Sequence, residues 1–262
     1  MKYEIFTRGD DRSNRVKTEL LARLNHMTTL QLSDTPEIVI FIGGDGTFLR
    51  AVQHYIKRLQ EVTFIGIHTG TLGFFCDYHD SELDKLLLDL PTAKKLAHRY
   101  RLLKLTRQYP DGEDSFLAVN EVRLENPFHT LVSDVYIDDV LLETFRGNGL
   151  IVASTLGSSG YNKSLGGALI STRLETMQLT EVATLQNNAF RSLGSSLVLT
   201  AEQTIVLSGQ FEKAVIGYDH LVIDDGKDVK KLIVSLAKQT ISIVHQNNRR
   251  YPEILRKSFI KD

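Results

Sequence analysis

Apolar residues recur along this chain at two spacings, and the change from one to the other divides it. Residues 2–6, KYEIF, make a short apolar strand, and Val16, Leu20, Leu21 and Leu24 follow at helical spacing. EIVIFI, residues 37–42, is a nearly continuous β-branched run of the kind buried on both faces of a parallel sheet. Phe48, Leu49, Val52, Ile56 and Leu59 then mark one helical face, and FIGIHTG, residues 64–70, returns to strand. This is a βαβ unit, with a helix expected to begin near Thr47. A third amphipathic helix is expected over residues 80–90, capped by Asp80 or Ser81.

From about Tyr100 the pattern turns β-rich, with YRLLKLTRQY, SFLAVNEVRLE and SDVYIDDVLLETF separated by turn residues. Later strands are expected over residues 195–200, 203–208, 212–217, 221–224 and 230–244, and one helix over Arg173–Leu185. The expectation is an α/β domain over residues 1–99 and a mainly antiparallel domain over 100–245. The tail, 246–262, is expected to pack back on the first.

Length and composition narrow the function. With 262 residues the chain can bury a sizeable core, and a formal net charge of -1 gives no bias toward nucleic acid or an anionic membrane surface. No apolar run is long enough to span a bilayer. The single cysteine, Cys76, cannot form an intrachain disulfide, and MKYEIFTRGDD lacks the pattern of a secretory leader. A cytoplasmic protein is expected, with no nucleic-acid or membrane partner.

Four segments carry candidate chemistry. Gly43, Gly44, Asp45, Gly46 and Thr47 sit between the buried strand and the next helix, where glycines let backbone N–H groups and the positive end of a helix approach a phosphate. Asp45 would repel that phosphate unless it stands beside a magnesium ion or faces a hydroxyl that must lose its proton, so it reads as a reacting group. The spacing fits neither the P-loop nor G-x-G-x-x-G. Asn120 and Glu121 interrupt an apolar alternation, and whichever faces inward needs a partner. Phe145–Gly167 supplies glycines with Ser154, Thr155, Ser158, Ser159, Asn162, Lys163 and Ser164, which suit a ribose and base or a long loop. Asp219 and His220 form a polar pair in a turn.

In this order, the four segments resemble the NAD kinase family. Gly43–Thr47 matches its Gly-Gly-Asp-Gly-Thr loop, Asn120–Glu121 its Asn-Glu pair, RGNGL its Gly-Asp-Gly segment, STLGSSGYNKSLGG its nucleotide loop and Asp219–His220 its Asp-His turn. IGIHTGTLGFF also looks like a family segment, with Phe74 lining the nucleotide pocket. The resemblance implies phosphoryl transfer from ATP or inorganic polyphosphate to the 2'-hydroxyl of the adenosine ribose of NAD, giving NADP, with Mg²⁺ or another divalent cation. Asp45 would be the general base. Gly43, Gly44, Gly46 and Thr47 would hold phosphates, and Asn120, Glu121, Tyr161 and Ser164 the dinucleotide. His68, Arg146, Asn148, Ser158, Ser159, Gly160, Asp219 and His220 are the remaining implied ligands.

A β-sandwich second domain and a homodimer or homotetramer with a shared nucleotide site are also implied. The chain departs from the family pattern at Asn148, where Asp is usual, and at Ser154–Tyr161, which lacks a proline and is one residue shorter. These departures lead to an expectation of weakened NAD binding. Two other readings remain at this stage: an NAD(P)-binding paralogue without turnover, and a lipid or sugar kinase with the same glycine loop.

Overall fold

The computed structural model describes residues 1–70, 73–224, 226–246 and 250–260. Thr71 and Leu72 of the IGIHTGTLGFF segment, and residues 247–249 and 261–262 of the expected tail, lie outside that set. In chain order the elements are β1 (Lys2–Thr7), α1 (Asp11–Leu24), β2 (Gln31–Leu32), β3 (Ile38–Gly43), α2 (Asp45–His54), β4 (Thr63–His68), β5 (Tyr78–His79), α3 (Leu83–Asp89) and α4 (Ala93–Leu96). Then come β6 (Ala97–Tyr109), β7 (Gly112–Ala118), β8 (Glu121–Glu125), β9 (Leu131–Ile137), β10 (Val140–Gly147), β11 (Gly149–Ser154), α5 (Tyr161–Ser164) and β12 (Thr176–Val182). The last are β13 (Leu197–Thr200), β14 (Thr204–Gly209), β15 (Val215–Tyr218), β16 (Leu221–Asp224), β17 (Lys231–Val244) and α6 (Arg250–Phe259).

The chain divides into two compact units, Met1–Tyr100 with Gln239–Asp262, and Arg101–Lys238. In the first, β2, β1, β3, β4 and the end of β17 form a parallel sheet in that order. Alternation along β3 explains its all-apolar sequence. Ile38, Ile40 and Ile42 pack with Val16, Leu20 and Leu24 of α1 and Leu83 and Leu86 of α3. Phe41 turns to the other side, where Phe48 of α2 lies 5.2 Å away and joins Phe64 and Phe75 in an aromatic cluster. Cys76 is fully buried and behaves as a small apolar residue. In α6, Ile254 is buried and the Phe259 ring lies 5.9 Å from Phe74.

The second unit is a sandwich. One layer contains β10, β9, β14 and the start of β17, with β6 and β7 beyond them; the other runs β13-β12-β11-β8-β15-β16, all antiparallel. Leu105, Val135, Phe145, Ile205 and Val234 of the first layer share one core with Val122, Leu124, Val152, Leu179 and Ile216 of the second. Asp138 and Asp139, both at positive φ, make the two-residue turn between β9 and β10.

Several boundaries differ from expectation. The helix expected over Arg173–Leu185 is strand β12: Met177 and Leu179 enter the core. Gln178 and Thr180 on the opposite face are buried but satisfied, Gln178 by both backbone groups of Ala168 and Thr180 by Asn162 Oδ1. SFLAVNEVRLE is two strands, broken at Val119–Asn120. The expected helix over 80–90 begins as a 3-10 turn capped by His79, whose Nδ1 accepts from Ser81 N while Glu82 reaches back to His79 N. Among the described residues, no helix is long and apolar enough to cross a membrane.

Candidate active site

The two units each present a group of candidate residues. In the first, α2 begins at Asp45 with Gly44 as its cap, two residues earlier than the apolar pattern indicates. Asp45 is therefore the first helical residue, where an acidic side chain meets the helix's positive end. Gly43 has φ +155, and a methyl there would overlap the Thr47 hydroxyl, so the chain can turn from β3 into α2 this tightly only with glycine.

The Asp45 carboxylate is held from the far side. Phe74 N and Phe75 N donate to its Oδ2 and Oδ1, each at 3.1 Å, and a methyl on Gly73 would strike it. Two amides on two oxygens fix the carboxylate's plane. His68 ends β4 as the register partner of Gly43. Its Nδ1 lies 3.0 Å from Gly70 O, which makes Nδ1 the donor and leaves Nε2 an acceptor; burial holds its pKa below the usual value. Beyond Asp45, methyls at Gly44 and Gly46 would meet nothing within 4 Å among the described residues. The loop, His68 and Phe74 are thus brought together in one place.

In the second unit, Asn120 and Glu121 stand at the start of β8, between β11 and β15. Asp219, at φ +49 in the turn after β15, ties this point down: its carboxylate accepts from Val119 N at 3.0 Å and Asn120 N at 2.7 Å. Burial raises the Asp219 pKa, and those amides oppose the rise. Ser154 N donates to Asn120 O, and Gly157 packs so closely on that carbonyl that a methyl there would overlap it. Asn120 Oδ1 is buried with no hydrogen-bond partner among the described residues. Glu121 is 5% exposed, and its pKa is raised to about 7 by burial and by Asp219, against the opposing pull of Arg123. A buried carboxyl that titrates near neutrality and, on the preceding residue, a buried amide oxygen without a partner among the described residues mark the start of β8 as prepared for polar ligand atoms.

Other candidates fall elsewhere. The Ser158 hydroxyl is spent inside its own loop, donating to Thr155 O at 2.8 Å and accepting from Ile170 N at 3.1 Å. Ser159 is half-buried and Gly160 and Ser164 are exposed on the same short segment, while Tyr161 OH donates to Glu125 Oε1 at 3.0 Å. His220 is exposed beside Asp219. Arg146 and Asn148 are not brought to Glu121: Gly149 pairs with Glu125, at the other end of β8, about 13 Å along the strand. There the Asn148 amide donates to Asn126 O at 3.0 Å, and the Arg146 guanidinium lies 4.6 Å from the center of the Phe190 ring.

Arg123 and Glu125 fall outside the motifs. Their signal was present, because residues 121, 123 and 125 of a strand share one face, here opposite to core residues Val122 and Leu124.

Comparison with known proteins identifies the family behind this arrangement. Residues 7–94 match the ATP-NAD kinase N-terminal domain and residues 119–233 the ATP-NAD kinase C-terminal domain. NAD kinase 1 of Listeria monocytogenes is 38% identical, with all of both chains covered, and a Staphylococcus aureus NAD kinase is 42% identical over 79% of this chain and 78% of its own. Among solved structures, yeast NADH kinase in complex with NADH superposes with a TM-score of 0.88 at 17% identity, covering 100% of this chain and 89% of that one. An Archaeoglobus fulgidus NAD kinase in complex with ATP gives 0.78 at 24% identity, with 98% of both chains covered. At those identities the two structures speak to the fold alone.

Proposed function

The chain belongs to the NAD kinase family and is a kinase, and from that premise we propose that it transfers the terminal phosphoryl group of ATP to the 2'-hydroxyl of the adenosine ribose of NAD, releasing ADP and NADP. The observation that carries this reading is the Gly43–Thr47 loop: open backbone at a helix N-terminus, with one oriented carboxylate at its center. Asp45 takes the proton of the ribose hydroxyl as its oxygen attacks the γ-phosphorus. Gly44 and Gly46 offer the phosphates N–H groups and the helix's positive end, whereas the Thr47 N–H, expected to join them, is spent on Gly44 O at 2.9 Å. Asn120 and Glu121 engage the dinucleotide's ribose or base, and Tyr161 and Ser164 its remainder. The ATP complex of the Archaeoglobus relative supports ATP as donor; polyphosphate is the alternative donor that the same loop would hold.

Magnesium would accompany the donor's phosphates at the glycine loop, held largely by phosphate oxygens. When bound it would neutralize charge on the transferring group. Arg146 lies at the far end of β8 from Glu121 and in an oligomer would complete a neighboring subunit's nucleotide site, whereas the Asn148 amide is engaged by Asn126 O of its own chain.

The test is NADP formation from NAD and Mg²⁺ with ATP or polyphosphate, read through a coupled dehydrogenase, with Asp45→Asn alongside. NADP formation that the substitution lowers by about 10³-fold supports both the reaction and the base. NAD binding without NADP formation would make the protein a binding paralogue.

A further inference from the structure

Arg123 lies on the face of β8 opposite the core residues Val122 and Leu124 and belongs to none of the family motifs that identify the site. Its Nη2 donates to Asp219 O at 3.0 Å, its Nε lies 4.0 Å from Glu121 Oε1, and its Nη1 lies 4.0 Å from Glu125 Oε2. Glu125 in turn accepts the Tyr161 hydroxyl. One guanidinium therefore spans the Asp219 turn, the Glu121 carboxyl and, through Glu125, the short helix that carries Tyr161. Room for it is made by Gly217 on β15, where a methyl would come within 3.4 Å of Nη2. The Arg123 Nε is buried with no hydrogen-bond partner among the described residues, at a length from Glu121 that a small rotation would close into a hydrogen bond.

We propose that Arg123 is a positioning residue for the dinucleotide site: it aims the Glu121 carboxyl and couples it to the Asp219 turn and, through Glu125, to Tyr161. The proposal rests on the kinase reading above and deepens it. An ionized Glu121 can accept hydrogen bonds from ribose hydroxyls, whereas a protonated one offers its own proton instead. The charged groups acting on it are Asp219 from the turn after β15 and Arg123 and Glu125 from its own strand; Tyr161 of α5 reaches Glu125, and His220 is exposed beside Asp219. On β11 the register partner of Glu121 is the apolar Ala153. Burial, then Asp219 and Glu125, favor the neutral acid, and Arg123 opposes them, so its removal moves Glu121 titration upward from about 7.

The experiment compares wild type, Arg123→Met and Arg123→Lys by two readouts: ¹³C NMR titration of the Glu121 carboxyl, and the pH profile of kcat/KM for NAD. In Arg123→Met the carboxyl titration and the acidic limb of the profile should move to higher pH together. KM should rise roughly tenfold at neutral pH, with kcat changed far less. Arg123→Lys, keeping the charge, should return both midpoints toward wild type. A carboxyl titration that stays in place in Arg123→Met overturns the coupling. A titration that moves while the kinetic profile does not overturns the positioning role. Wild-type protein that forms no NADP removes the kinase reading itself, and the kinetic role with it, whatever the carboxyl titration shows.

Discussion

Glycine marks both candidate regions, and the surroundings of particular glycines in them differ. At Gly44 and Gly46, in the loop before α2, an added methyl would meet only open space within 4 Å among the described residues. At Gly157, Gly167 and Gly217, in the sandwich unit, a methyl would run into the Asn120 carbonyl, the Asn162 side chain or Leu221 O. Packing thus explains the second set without a ligand. It does not explain Gly44 or Gly46, whose missing side chains leave backbone donors open to an incoming anion. A glycine-rich stretch by itself does not distinguish these cases; the surroundings of each absent Cβ do.

The largest break in this comparison is expected from Gly157→Ala. The methyl would force apart Gly157 and the Asn120 carbonyl, which already accepts Ser154 N. We expect a loss of about 3 kcal/mol, at the upper end for overpacking, measured by urea denaturation, with NAD affinity falling as well because Asn120 moves. Stability within error of wild type would show that this loop is not packed as described.

Next is a pH effect at the same place. The folded pKa of Glu121 is about 7 against an ordinary 4.5, so between those values the folded chain keeps a proton that the unfolded chain has released. Stability therefore falls as pH rises through this window, by at most about 3 kcal/mol, and the loss is complete above 7. Glu121→Gln should abolish this site's share, making the variant more stable than wild type at pH 8 relative to pH 4.5. Parallel stability curves for the two proteins would contradict a buried, proton-holding Glu121.

Much of this was legible before any coordinates. The run of residues 37–42 announced a strand buried on both faces because both faces of β3 are covered, one by α1 and α3 and the other by α2. The glycine loop fell at the carboxyl end of that strand, where open α/β sheets bind ligands. β12 was not legible, because the groups that satisfy Gln178 and Thr180 come from Ala168 and Asn162, and without them two polar residues facing one side resemble a helix's wet face. The Arg123 network was written in plain alternation, yet its meaning depends on the Asp219 turn, nearly a hundred residues away. Asn148 is the clearest case. From sequence it looks like a ligand that has lost its charge, and only the pairing of β11 with β8 brings it beside Asn126.

That pairing changes the outcome expected from restoring the usual acid. In Asn148→Asp a carboxylate would replace an amide that donates to Asn126 O at 3.0 Å, and two acceptors would face each other. We expect a loss of about 1 to 2 kcal/mol in stability and no gain in NAD affinity, measured by denaturation and calorimetry. Tighter NAD binding with unchanged stability would show instead that position 148 serves the ligand first.

The smallest expected change in stability is the most informative about the glycine loop. Gly46 is the second residue of α2, and alanine there has both the space and the helical preference to be accepted, so Gly46→Ala should leave stability unchanged or raise it by up to about 1 kcal/mol. If that space is where phosphates meet the backbone, the same methyl should raise the KM for ATP and lower kcat/KM by one to two orders of magnitude, an effect on function without a cost in folding. A Gly46→Ala protein that folds and turns over like wild type would mean that the phosphates do not approach this face of the loop, and the contrast between the two sets of glycines would lose its functional side.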